Sequence, residues 1–265
     1  MDEEANKTDK AADRIELALH LNTKRQFFHK SYITDVMNVY ALTGGIATGK
    51  STAAGIFKEL KVPVLCSDSI VHSFYEPNSL GALKIAEAFG EDYLLETGEV
   101  NRSKLFSEVF PDPEQRFQLE SVIHPLVRSE LIRRSWVLFL KGHRHVIWDI
   151  PLFYEAGVST NWSIDFAKVY CVACDEETQV QRLLDRSNKE LSQVKEFLNA
   201  QLPLSFKVAN SEVIDNSGDL DALKTAVLDR VSRDFVLKLK PRLLLYLLFL
   251  LFILGVIFIV RHIKN

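Results

Sequence analysis

Residues 39–52 read VYALTGGIATGKST, and their types and spacing suit the handling of phosphate. Gly44, four intervening residues, Gly49, Lys50 and Ser51 form a Gly-x-x-x-x-Gly-Lys-Ser pattern, with a strand-like run before it and helix-like spacing after it. In such a loop Gly44, Gly45 and Gly49 let backbone N–H groups turn inward. Ile46, Ala47, Thr48 and Thr52 complete the cradle, and the helix starting near Lys50 adds the positive end of its dipole. The Lys50 ammonium reaches the β- and γ-phosphates, and the Ser51 hydroxyl is a ligand for Mg²⁺. The expected ligand is therefore ATP with Mg²⁺.

Other chemistry-bearing residues stand at the ends of apolar runs. KVPVLC (61–66) leads into Ser67-Asp68, which places Asp68 to accept a proton from a substrate hydroxyl, or to cap the helix that follows. HVIWDI (145–150) ends at Asp149 before Pro151, which resembles a strand whose acid holds Mg²⁺ through water. In DEETQVQRLLDR, Arg182 and Arg186 fall four apart on one helix face. That face either stabilises charge on a transferring phosphoryl group or is a solvated surface paired with Asp175, Glu176 or Asp185. CVAC (171–174) spells a Cys-x-x-Cys, but it lies in a strand-like run, where positions i and i+3 point to opposite faces. No zinc site is expected there. NRS and NWS match the glycosylation pattern, though a cytosolic body does not meet that machinery.

The elements that must position these groups read as a doubly wound α/β domain. Five strand-like runs, at VYALT, KVPVLC, HVIWDI, FAKVYCVAC and EVIDN, alternate with helical spacing and predict a five-stranded parallel sheet. About 75 residues separate the second and third strands, far more than a crossover needs. LGALKIAEAFG, RSKLFSEVF, PEQRFQLESVIHPLV and RSELIRRSWVLFLKG all read as amphipathic helices within it. Such an insertion (about 70–143) is expected to form a cap that shields a small acceptor from water.

Composition sharpens the picture. At 265 residues and 47% hydrophobic the chain is neither disordered nor, with 25% charged residues, a polytopic membrane protein. The net charge of −3 hides a division, because residues 236–265 carry five Lys or Arg and no acid, leaving the remainder at −8. An acidic body argues against nonspecific nucleic-acid binding. Residues 243–260, LLLYLLFLLFILGVIFIV, hold no charge or Pro, and at about 1.5 Å per residue would span roughly 27 Å. They are expected to form a C-terminal transmembrane anchor, with the body on the cytosolic side of the endoplasmic reticulum or mitochondrial outer membrane. Three cysteines suit a reduced compartment. Residues 1–36 are polar, precede the second methionine, Met37, and are expected to be a disordered extension.

In order and spacing, ALTGGIATGKST, SDSIVHSFYEPNS, FGEDYLLETGEVNRSKL, IHPLVR, FLKGHRHVIWDIPLFYEAG, QVQRLLDR, NAQLPL and VIDNSG together resemble the dephospho-CoA kinase family, over about residues 38–230. The resemblance implies a P-loop NTPase core, a helical CoA-binding insertion and a mobile lid (about 179–207) within a domain spanning 37–235. It implies transfer of phosphate from Mg·ATP to the ribose 3′-hydroxyl of dephospho-CoA, giving coenzyme A, with no obligate protein partner evident. By position it assigns Asp68 as base and Arg102, His124 and Pro125 to the acceptor side. Asp149, Pro151, Leu152 and Glu155 match the segment after the third strand, and Arg182 and Arg186 the start of the lid. Three departures stand out. Cys66-Ser67-Asp68 replaces the usual Asp-x-Asp, Ala47 replaces a loop glycine, and Phe197 stands at a usual lid arginine, with only Lys207 kept nearby. Their rivals are a nucleotide-binding membrane adaptor with impaired catalysis, favoured by the missing arginines but not by Asp68, and a kinase of the same fold with another hydroxyl acceptor.

Overall fold

A computed structural model describes residues 32–158, 162–187 and 190–235, together with Leu251 and Ile253. The chain enters through α1 (Ile33–Val36), then β1 (Asn38–Gly44), α2 (Lys50–Glu59), β2 (Val64–Cys66), α3 (Ser67–Phe74) and α4 (Leu80–Phe89). A short α5 (Arg102–Lys104), a π turn (Leu105–Val109) and α6 (Pro113–Leu140) lead to β3 (His145–Asp149) and β4 (Lys168–Ala173). The remainder is α7 (Glu176–Arg186), α8 (Leu191–Asn199), α9 (Leu204–Ala209), β5 (Glu212–Asp215) and α10 (Leu220–Asp234).

The strands form one parallel sheet in the order β2-β3-β1-β4-β5, as the run of five apolar segments predicts. A central parallel strand is covered on both faces, so it reads as a continuous apolar run. In β1 the two-residue period then sorts side chains between two cores. Val39 and Ala41 enter the core shared with α4 and α6, while Tyr40 and Leu42 enter the one shared with α2 and α10. Because the strands are parallel, their carboxyl ends all open on one edge, where β1 gives way to the phosphate loop.

Between β2 and β3 the sequence suggests two helices, 113–127 and 128–142, yet α6 is one helix of 28 residues that runs unbroken through Pro125. Leu119, Ile123, Val127 and Leu131, four apart, are all buried. Burying each is worth about 1.5–3 kcal/mol, which together outweighs the roughly 3 kcal/mol an interior proline costs. Asp112 caps the amino end by accepting from the N–H groups of Glu114 and Gln115. The expected helix over RSKLFSEVF is instead the short α5 and the π turn.

The ends differ from expectation. Residues 33–36, assigned to the extension, form α1, and Ile33 and Met37 are fully buried beside α6. Residues 1–31 lie outside the described residues. The expected transmembrane helix is corrected: among the described residues no helix is long and apolar enough to cross a membrane. The longest, α6, carries Glu120, Arg128, Glu130, Arg133 and Arg134, charges that a spanning helix excludes. Residues 243–260 fall outside the described residues apart from Leu251 and Ile253. The expected single-pass placement in the endoplasmic reticulum or mitochondrial outer membrane goes with that correction.

At the amino ends of the strands α10 closes the sheet. Tyr40 donates its hydroxyl to the Asp234 carbonyl (2.7 Å), Tyr170 to Asp234 Oδ2 (2.8 Å), and the Phe235 ring lies 4.4 Å from that of Tyr40. Burial pushes the Tyr40 hydroxyl up to about 12. Burial alone would raise Asp234, but Lys168, 2.8 Å away, and Tyr170 outweigh it and hold the carboxyl below its usual range. That stabilisation is present above the unfolded-state value of 3.8 and is lost as pH falls through the lower folded value. Asp234→Asn is therefore expected to lower stability at pH 7 and to flatten its decline below about pH 4, read from urea midpoints across pH.

Candidate active site

The loop after β1 is held by contacts that glycine alone permits. A Cβ on Gly44 would come 2.8 Å from both Thr48 Oγ1 and the Val172 carbonyl, and one on Gly45 would come 2.8 Å from Gln179 Nε2. Gly49 has φ +88 and caps α2, and a Cβ there would lie 2.1 Å from Asn216 Nδ2. Ala47 takes φ +60, a left-handed conformation that costs an alanine about 1 kcal/mol relative to glycine. Inside the loop the Thr48 hydroxyl donates to the Gly45 carbonyl (2.9 Å), and from β5's end Asn216 Nδ2 donates to the Thr48 carbonyl (2.7 Å). Gly49→Ala both clashes with Asn216 and strains the backbone. It is expected to lower ATP affinity more than tenfold and stability by about 2–3 kcal/mol, measured by calorimetric titration and thermal melting.

Lys50 opens α2 and its Nζ lies 2.5 Å from Asp149 Oδ1. Strand register explains the meeting: Asp149 pairs with Leu42 of β1 on one side and with Cys66 of β2 on the other. The apolar run of β3 thus delivers a 5% exposed carboxylate beneath the loop. Ser51 and Thr52 are exposed in the first turn of α2.

Asp68 stands two residues past the strand partner of Asp149, on the same open edge of the sheet. The helix cap is Cys66, so Asp68 occupies the first turn and not the cap. Asp68 is exposed and free of ion pairs and hydrogen bonds among the described residues, which leaves its carboxylate available to a ligand. On the helical side Arg102 Nη1 lies 2.7 Å from His72 Nδ1, its guanidinium 5.4 Å over the Tyr75 ring. His124 meets the edge of Trp162, while Arg128, buried one turn on from Pro125, donates Nε to the Trp162 carbonyl (2.7 Å). The Pro151 carbonyl accepts from the Thr43 hydroxyl (2.9 Å), and Leu152 is exposed.

The two arginines of α7 separate. Arg182 donates Nη2 to the Asn216 carbonyl (3.0 Å), and its Nη1, buried without a partner among the described residues, points to within 3.9 Å of where a Gly49 Cβ would stand. Arg186, one turn on, is exposed in the last turn of α7. Phe197 is 46% exposed on α8. Lys207, the cation kept near the usual lid arginines, does not project from the lid. It is fully buried under the loop, its Nζ donating to Glu155 Oε1 (2.6 Å) and to the Gly44 carbonyl (3.3 Å). Cys171 and Cys174 are buried, and burial pushes the Cys171 thiol up to about 11.

Sequence reasoning passed over Gln179, Gln201, Asn216 and the burial of Lys207. Their only signal is membership of the runs QVQRLLDR, NAQLPL and VIDNSG, since an amide or a lysine carries no spacing rule for a bond to a loop made more than 130 residues earlier. Among the described residues no group of three or more His, Cys, Asp or Glu surrounds a point where a metal could sit. The oxygens of Ser51 and Asp149 fit Mg²⁺ in kind, because that ion takes one or two protein oxygens and draws the rest from phosphate and water.

Comparison with known proteins bears on the family and the fold. The sequence model of dephospho-CoA kinase matches residues 38–222. A dephospho-CoA kinase of Bacillus thuringiensis is 40% identical over 188 residues, covering 71% of this chain and 92% of its own. One from Oryza sativa is 39% identical over 189 residues, covering 71% and 80%. The crystal structure of TT1252 from Thermus thermophilus superposes with a TM-score of 0.63 at 28% identity, over 74% of this chain and 97% of that one. Matched by that model over most of its length and by relatives near 40% identity, the chain belongs to the dephospho-CoA kinase family.

Proposed function

We infer that the protein transfers the γ-phosphoryl group of ATP to the ribose 3′-hydroxyl of dephospho-CoA, giving coenzyme A, the last step of its synthesis. The observation that carries this reading is the Lys50–Asp149 pair under the loop with Asp68 exposed in the first turn of α3, just past the neighbouring strand. Loop N–H groups hold the phosphates, and the Lys50 ammonium balances their charge. Asp68 orients the 3′-hydroxyl and takes its proton as the new O–P bond forms and the bond to ADP breaks. The Ser51 hydroxyl and the Asp149 carboxylate would hold Mg²⁺, which supplies further charge neutralisation on the β- and γ-phosphates. Arg182, beside Gly49, faces the nucleotide, and Arg102, with His72 and Tyr75, faces the acceptor. Arg186 and the excursion from α7 to α9 act as the lid.

Incubating the full chain with ATP, Mg²⁺ and dephospho-CoA is expected to yield coenzyme A and ADP in equal amounts by mass spectrometry. ADP without coenzyme A would overturn the acceptor assignment, and neither product would overturn the kinase reading.

A further inference from the structure

One residue of the phosphate loop is gripped from both sides. The Ile46 N–H donates to Gln201 Oε1 (3.1 Å), and the Ile46 carbonyl accepts from Gln179 Nε2 (2.8 Å). The two amides come from opposite ends of the α7–α9 excursion. Gln179 sits in the first turn of α7, behind the Asp175 cap, and is only 5% exposed. Gln201 lies between α8 and α9 in a segment fastened beside it, where the Leu202 N–H donates to Glu155 Oε1 (3.2 Å) and Lys207 bonds both Glu155 and the Gly44 carbonyl.

These bonds set the orientation of two successive peptide planes. A trans peptide points its C=O and N–H in opposite directions. The Gly45 carbonyl faces into the loop, toward the Thr48 hydroxyl, so the Ile46 N–H of the same peptide faces outward, to Gln201. The Ile46 carbonyl also faces outward, to Gln179, so the Ala47 N–H of that peptide faces inward, into the cradle. Turning that peptide over would let Ala47 leave its φ of +60, and this chain has an alanine, not a glycine, at that strained position. The buried amide of Gln179 opposes that turn. Its access depends on Gly45, because a Cβ there would come 2.8 Å from Gln179 Nε2.

We propose that Gln179 and Gln201 are positioning residues that hold the Ile46 peptides so that the Ala47 N–H faces the triphosphate, tying both ends of the α7–α9 excursion to the phosphate loop. Neither side chain need touch substrate. They act through the backbone, and their polarities are not interchangeable, since one must donate to a carbonyl and the other accept from an N–H. The assignment rests on the kinase reading above, so its test reads nucleotide binding directly, without an acceptor.

The test titrates ATP calorimetrically into the full chain and into Gln179→Leu, Gln201→Leu and the double variant, with kcat, both KM values and melting temperature measured alongside. Each single change is expected to weaken ATP affinity about tenfold, the scale of one lost hydrogen bond. The double variant is expected to lose little more than the worse single one, because both amides restrain one residue. The KM for dephospho-CoA should stay within twofold. Losses that multiply in the double variant, or ATP affinities equal to that of the unaltered chain, would overturn the proposal. So would lowered melting temperatures with unchanged ATP affinity and unchanged kcat, the signature of a merely structural role. Gln201, partly exposed, keeps the test decisive if Gln179→Leu fails to fold. Unaltered protein that binds ATP but makes no coenzyme A would overturn the reaction instead, and the affinity comparison would still decide the clamp.

Discussion

Asp68→Asn is expected to lower kcat about a thousandfold while leaving the KM for ATP within twofold. General-base assistance contributes roughly 10²–10⁴ in rate, and the substitution keeps side-chain size while removing the basic oxygen. The structure makes the experiment clean. Asp68 is exposed, caps nothing and bonds to no other described residue, because Cys66 takes the cap position of α3. The only folding contribution at stake is a carboxylate near a helix amino terminus, about 0.3–1 kcal/mol, so the melting temperature should move by only a few degrees. Steady-state kinetics with dephospho-CoA varied at saturating ATP separate the two roles. An unchanged kcat would reduce Asp68 to helix electrostatics, and a loss confined to the KM for dephospho-CoA would make it an acceptor-binding group without a proton role.

Lys207→Met should produce the largest loss of stability. Lys207 is fully buried, and its charge is matched by Glu155, whose side chain is 19% exposed. Removing one member of a buried pair leaves the other desolvated without a partner, at a cost of about 3–5 kcal/mol. The partial exposure of Glu155 places this case near 3 kcal/mol, or roughly 6–12 °C in Tm for a domain of this size. The same change releases the Gly44 carbonyl at the head of the phosphate loop and the Glu155 oxygen that also accepts from Leu202. Replacing both partners, as Glu155→Leu with Lys207→Met, should recover most of the stability, since apolar side chains of similar volume fill such sites well. Activity should not return with it, because the Gly44 carbonyl stays unheld. Melting curves and kcat/KM on the same preparations test both halves. Recovery of activity along with stability would show that the pair serves folding alone.

These two residues illustrate what was readable before the structure and what was not. The phosphate loop was legible because its chemistry imposes local spacing: glycines where backbone crowds backbone, and a lysine at the head of a helix. The sheet was legible because parallel strands covered on both faces must be apolar runs. Asp149 followed from both, and strand register brought it to Lys50. Asp68 was half legible. Its place after a strand pointed to the site, but whether Asp68 or Cys66 would cap α3 turned on where the helix began.

Long-range bonds were not legible. Lys207 read as the one cation kept beside the missing lid arginines, and nothing local announces a buried partner at Glu155. Gln179 and Gln201 carry no charge and no periodic signal. The two expected helices, 113–127 and 128–142, proved to be one, because the buried stripe from Leu119 to Leu131 continues across their boundary and carries the helix through Pro125. The apolar run at 243–260 was the strongest compositional feature in the chain, yet it contributes no membrane-spanning helix among the described residues.

The stack of Phe235 on Tyr40 fastens one end of β1. Tyr40 lies four residues before Gly44 on β1, so about 13 Å of strand separates that ring from the start of the phosphate loop. α10 finishes at the edge of the sheet opposite the one where Lys50, Asp68 and Asp149 gather. A change at the Phe235 ring would thus loosen the back of the sheet and reach the phosphate loop only through the length of β1. The two ends of β1 divide the labour, one fastening the sheet to α10 while nucleotide and acceptor come and go at the other.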